Sequence, residues 1–169
     1  MKRTLTRLDS IHGRLLNLIA ETDDLQFVRR PAENEWSVAE IVYHLALVEE
    51  YVIKSLEQSL ALPPQRLPLF RRLMPTRIVA SRLLRVKAPR GVQPLNPPPK
   101  MQLIENFNAT RARLKTLCAK HERARLRQVI FKHPFLGPID GTATISFVGY
   151  HEVRHYKQIR EVLKKLNGK

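Results

Sequence analysis

Two histidines four residues apart, His151 and His155, lie in the stretch GYHEVRHYKQIREVL. The apolar spacing around them predicts a helix, and on a helix such residues stack about 6 Å apart along one face. That face is the one expected to meet the core, where imidazoles are unusual. Two neutral imidazoles so placed can grip one metal ion, because each offers a nitrogen lone pair near pH 7. A closed structural zinc site needs four protein ligands, whereas a catalytic one typically uses three and leaves a position open. A third donor must then come from another helix facing the same core. His44 is the candidate, seven residues into a second helix and beside the apolar stripe Ile41, Leu45 and Val48. His12 lines up with Leu8, Leu15 and Ile19 and is either a supporting group or a fourth ligand. His121 ends a basic helix and His133 precedes Pro134 in a loop, so both are expected to be solvated. The competing reading of the H-x-x-x-H pair is two hydrogen-bonded histidines at a core margin.

A divalent ion on three neutral histidines keeps its full charge. It can activate water for hydrolysis or bind and deprotonate a thiol for transfer. Either reaction wants a nearby acid or base. Tyr43 and Glu40 are the catalytic candidates, with Glu49 and Tyr150 also near in sequence and His12 further off; a capping role competes for Glu40. Arg154, on the ligand helix, is placed to pair with an anionic substrate or to stand exposed. Cys118 has no activating base near it in sequence and suits a small buried position. Nucleotide-binding glycine motifs and paired catalytic carboxylates are absent.

The elements that must position these groups are legible from periodicity. Residues 3–21 repeat Leu5, Leu8, Ile11, Leu15, Leu18 and Ile19 at helical steps. The loop ETDDLQFVRRPAENE follows. Residues 37–60 open with SVAE, in which Ser37 and Glu40 form a capping box, and Trp36 is placed to staple onto Ile41. Pro63, Pro64 and Pro68 end that helix. Residues 69–85 predict one short helix or two pieces broken near Pro75. KAPRGVQPLNPPPK, 87–100, carries five prolines and reads as a stiff excursion between core helices. A third long helix spans 100–122 and a fourth 143–166, the latter capped by Thr142 or Thr144 after the turn-rich FKHPFLGPIDGT. Four amphipathic segments without a strand pattern predict an all-α, up-and-down four-helix bundle in one domain, 1–169, with a basic insertion at 58–100.

The chain has 169 residues and one cysteine, and no apolar run long enough to span a membrane. Asp9 and Arg14 interrupt the basic N-terminus before a signal core forms, so a cytoplasmic location is expected. The net charge of +15 is uneven: residues 58–104 hold 9 Lys/Arg and no acid. Within it, 66–90 carries eight basic residues among Leu, Ile, Val and Phe. A second reading is therefore a module that binds an anionic membrane surface or nucleic acid, although Phe70 alone offers a stacking platform. A third is a metal-free dimeric scaffold.

EWSVAEIVYHLALVEE resembles the first signature of the DinB-like helical-bundle proteins: Trp-Ser at a helix start and a histidine eight positions after the tryptophan. HPFLGPIDGTATISFVGYHEVRHYKQI resembles their second: His-Pro, a glycine turn, then H-x-x-x-H with a following Gln-Ile. The resemblance implies a four-helix bundle with a three-histidine site, His44, His151 and His155, for a divalent metal, zinc or nickel. It also implies a metal-dependent hydrolase or a thiol-dependent S-transferase or isomerase, acting on a small molecule with a low-molecular-weight thiol. The acid-free, proline-rich insertion departs from familiar members and bears on the substrate.

Overall fold

The apolar repeat of the first twenty residues folds as helix α1, Lys2–Ala20, burying Leu8, Ile11, His12, Leu15 and Ile19. The computed structural model describes residues 1–72, 75–81 and 88–168. Asp23 then accepts from the amides of Leu25 and Gln26 and starts a short helix, α2, Asp24–Val28, inside the stretch expected to be loop. Helix α3, Val38–Leu60, begins at the expected capping box: Glu40 N donates to Ser37 Oγ at 3.2 Å and Ser37 N to Glu40 Oε2 at 2.8 Å. Trp36 packs on the cluster that contains Ile41 and also against the His44 ring, 5.0 Å away. The connection that follows holds α4, Leu69–Arg72, and a 3-10 turn, Thr76–Ala80. Residues 82–87, part of the expected basic segment, lie outside the described residues. A second 3-10 turn, Arg90–Val92, precedes α5, Lys100–Lys120. Helix α6, Arg123–Leu126, leads to strands β1, Ile130–His133, and β2, Gly137–Asp140, and the chain ends in α7, Gly141–Leu166.

The stretch expected to be a turn-rich connection is thus a hairpin. Phe131 pairs with Ile139 and His133 with Gly137, and both Phe131 and Ile139 are buried. Gly137 turns with φ of 70°, and a Cβ there would lie 3.1 Å from an Arg71 guanidinium nitrogen. Helix α7 is capped by Asp140 rather than by Thr142 or Thr144. The Asp140 carboxylate accepts from Ala143 N at 2.9 Å and from Thr142 Oγ1 at 2.6 Å, while Thr144 Oγ1 donates to the Asp140 carbonyl. An aspartate just before the helix takes the amides that a threonine inside it cannot reach.

The four long helices form the bundle expected from the sequence, and their contacts fix its directions. Helices α1 and α5 are antiparallel, since Asp9 meets Lys115 and His12 meets Asn108. Helices α1 and α7 are parallel: Leu8 lies against Gly149, and Arg14 over the Tyr156 ring. Helices α3 and α7 are antiparallel, with Leu56 near Gly141 and His44 near His151 and His155. Helices α3 and α5 are parallel: residues 38–46 cluster with Leu103 and Phe107, whereas residues 48–56 cluster with Leu114, Leu117 and Cys118. The order is therefore up, down, down, up, not the strict alternation the periodicity suggested. A 23-residue helix rises about 35 Å. Two consecutive parallel helices need a connection that travels that far back, which is the job of the proline-rich segment between α3 and α5. Among the described residues no helix is long and apolar enough to cross a membrane.

Candidate metal centre

Helices α3 and α7 run side by side, and where their stripes meet the side chains are imidazoles. His44 is 4% exposed and His155 5%; His151 is half-buried. The ring centroids of His44 lie 5.2 Å from His151 and 5.0 Å from His155, and His151 lies 4.4 Å from His155. One ligating nitrogen from each falls within 4.8 Å of the others.

Hydrogen bonds behind the rings decide which nitrogen faces inward. Val92 O accepts from His44 Nδ1 at 2.7 Å, and Gln158 Oε1 accepts from His155 Nδ1 at 2.8 Å. A carbonyl oxygen can only accept, so each Nδ1 carries the proton and each Nε2 keeps its lone pair. The Nε2 atoms of His151 and His155 stand 3.1 Å apart. Two nitrogens bound to one tetrahedral ion at about 2.05 Å are about 3.3 Å apart, so this pair already has the spacing a shared ion demands. Charge agrees. Burial holds the His44 ring below the ordinary imidazole range, although its bond to Val92 opposes this. Burial holds His151 and His155 well below it, helped by the neighbouring histidines and Arg154. All three are neutral donors at pH 7. The residues present therefore fit a divalent cation.

The trio opens on a cleft of about 1110 Å³ walled by Trp36, Phe131, Phe147 and Leu136, among others. Of the expected acid–base groups, Glu40 reaches its edge as an anchored carboxylate. Burial alone would raise its pKa, but Arg30 and the Ser37 amide hold it below the ordinary carboxylate value. Tyr43 points to the apolar cluster of the bundle and does not line the cleft. Glu49 is buried against Arg111, and Tyr150 is half-buried.

His12 faces inward but belongs elsewhere: it bonds Asn108 at 2.9 Å, stacks on Phe107 at 4.3 Å and stands 3.7 Å from Glu152. It is not among the described residues that could share the ion. His121 is half-buried. His133, expected to be solvated, is 7% exposed and lines the cleft, because the hairpin folds it against Phe147. Arg154 also lines the cleft and donates to the Ser81 carbonyl. Burial pushes the Cys118 thiol up to about 11, so it is inert as a nucleophile at neutral pH. Val92 and Gln158 are the groups sequence reasoning missed. Gln158 had a signal, standing three residues after His155 on the same helix; Val92 had none.

Known proteins resemble this chain in sequence or in fold. A curated relative, YuaE of Bacillus subtilis (strain 168), described as uncharacterized, is 23% identical over 151 residues, 89% of this chain and 91% of its own. Among solved structures, YfiT from Bacillus subtilis superposes with a TM-score of 0.68 at 13% identity, over 98% of this chain and 87% of YfiT. It is described as a probable metal-dependent hydrolase with an unusual four-helix bundle topology. A conserved protein from Enterococcus faecalis gives 0.67 at 17% identity, over 99% and 97% of the two chains. TT2238, described as a four-helix bundle protein, gives 0.64 at 21%, over 95% and 98%. The DinB superfamily profile matches residues 7–159, nearly the whole chain, and this chain belongs to that superfamily.

Proposed function

We propose that the chain is a metal-dependent enzyme, with one divalent ion, zinc or nickel, held by Nε2 of His44, His151 and His155. The observation that carries this reading is the convergence of three neutral, partly pre-oriented imidazoles from two helices in the lining of a cleft. Three neutral ligands leave such an ion its full charge and an open position, so it supplies Lewis acidity able to activate water or a thiol. The description of YfiT as a probable metal-dependent hydrolase supports hydrolysis, and we take the substrate to be a small molecule; the same donor set serves S-transfer from a low-molecular-weight thiol.

The protein's own groups fill clear parts. Val92 and Gln158 hold two rings in register. Trp36 and Phe147 pack beside His44 and His151 and exclude water from one side. Glu40 serves by locking Arg30 and the start of α3, the helix that presents His44, rather than by moving protons.

Elemental analysis of the purified full chain is the test, with about one divalent ion per chain expected and loss of it in His155→Ala. Protein that carries none, and whose melting temperature does not rise with added zinc or nickel, overturns the reading. Paired screens of esters with water and electrophiles with thiols then separate hydrolase from transferase.

A further inference from the structure

His133 is the buried ring of the cleft that the proposed centre leaves unused. Its Nδ1 accepts from the backbone amides of Phe135, at 3.1 Å, and Leu136, at 3.0 Å. Both partners are donors, so Nδ1 offers its lone pair and the neutral ring carries its proton on Nε2. The ring is clamped as well. It stands edge-on to Phe147 at 4.5 Å, with Phe131 at 6.2 Å and Phe135 at 5.9 Å. Burial lowers its pKa to about 4, which keeps it neutral at pH 7.

The Nε2 proton has no acceptor among the described residues, yet this nitrogen is not one of the partnerless atoms sealed from solvent. The open space that His133 borders is the cleft. Phe147 touches both His133, at 4.5 Å, and His151, at 5.3 Å, so this donor stands close to the trio.

The apolar part of the cleft, whose lining also holds Arg30, Lys132, Arg154 and Lys165, says what such a donor meets. Tyr51, Ile78, Leu95 and Phe135 are all more than half exposed, and all four line it. Exposed apolar side chains gathered on one concave surface mark a site for an apolar ligand. A neutral N–H suits an oxygen that is polarised but not permanently charged, as in a carbonyl, where a cation would suit a carboxylate or phosphate.

We infer that His133 donates through Nε2–H to the carbonyl oxygen of an ester, thioester or amide whose aryl or alkyl body rests on the apolar wall. This rests on the proposed metal centre, which the carbonyl carbon would adjoin. It makes His133 a substrate-binding group and narrows the substrate to acyl compounds with apolar bodies.

The test uses the zinc-loaded full chain with 15N-labelled histidine and phenylacetohydroxamate as the probe. Long-range 1H–15N spectra at pH 7 are expected to show His133 protonated on Nε2, with that signal moving as the probe is added. His133→Asn keeps a side-chain oxygen able to accept both turn amides while removing the Nε2 donor. It is expected to bind the probe about tenfold more weakly by calorimetry. Should this variant melt early, the spectra of the unaltered chain decide alone. A proton found on Nδ1, an Nε2 signal that stays put while the probe binds, or equal affinity in a well-folded variant overturns the inference. Failure to take up either zinc or nickel overturns the metal centre instead. The zinc-free chain titrated with phenylacetamide then tests His133 separately, and an unmoved Nε2 signal rejects it.

Discussion

His133 stays neutral in the fold because its ring is packed among aromatic neighbours and its Nδ1 is held by two amides. That has a consequence for stability. Unfolded, a histidine titrates near 6.5; folded, this one titrates at about 4. Between those values the unfolded chain binds the extra proton, so stability is intact above about pH 6.5 and is lost as the pH falls toward 4. The expected loss at pH 5 is about 2 kcal/mol from this ring alone. His44, His151 and His155 are lowered in the same direction and add to it. Urea midpoints of metal-free protein at pH 7.5 and pH 5 check this; equal midpoints would contradict it. In His133→Asn the pH dependence should shrink.

At the scale of elements, the site depends on where α7 starts. Asp140 caps the helix and Gly141 fits where little else can: a Cβ there would lie 2.6 Å from the Leu126 carbonyl oxygen, which is backbone and cannot swing aside. Gly141→Ala should therefore destabilise the chain by about 1–3 kcal/mol, with a melting point lower by about 2–4 °C for each kcal/mol. Thermal melts read it, and an unchanged melting temperature would show that the hairpin and α7 can part without cost. Helix α3 was readable because its signals are local: a serine, a glutamate three residues on, then an apolar stripe. The hairpin was not. Its strands are four residues each, Pro134 follows the first and Gly137-Pro138 opens the second, and their pairing is visible only once the chain has folded.

Across the whole molecule, Arg111 ties all four long helices together. From α5 it donates to the Leu8 carbonyl of α1 at 2.8 Å, to Glu49 of α3 at 2.8 Å and to Glu152 of α7 at 2.5 Å. The guanidinium and both carboxylates are almost fully buried. Burial raises the Glu49 pKa, and Arg111 works against that rise. Arg111→Met should cost about 3–5 kcal/mol, because it strands two carboxylates in the core. Chemical denaturation measures it. A variant as stable as the parent would mean that the acids find other partners. The sign of this cluster in the sequence is an arginine inside the apolar stripe Leu103, Phe107, Leu114, Leu117, with nothing nearby to say what it meets. The same scale governs the long connection: parallel α3 and α5 demand a return path, and that path brings Val92 to His44.

What the sequence by itself determined are the features written in neighbouring residues. Helical stripes come from spacing at three and four, the start of α3 from its cap, and the facing of His151 and His155 from the pitch of one helix. Which nitrogen of His44 points inward, the burial of His133, the four-helix contacts of Arg111 and the up-down-down-up order were decided only in the tertiary structure. Each depends on groups tens of residues apart, brought into contact by burial of the apolar stripes. That burial is driven by area and carries no label for which polar partners it will enclose.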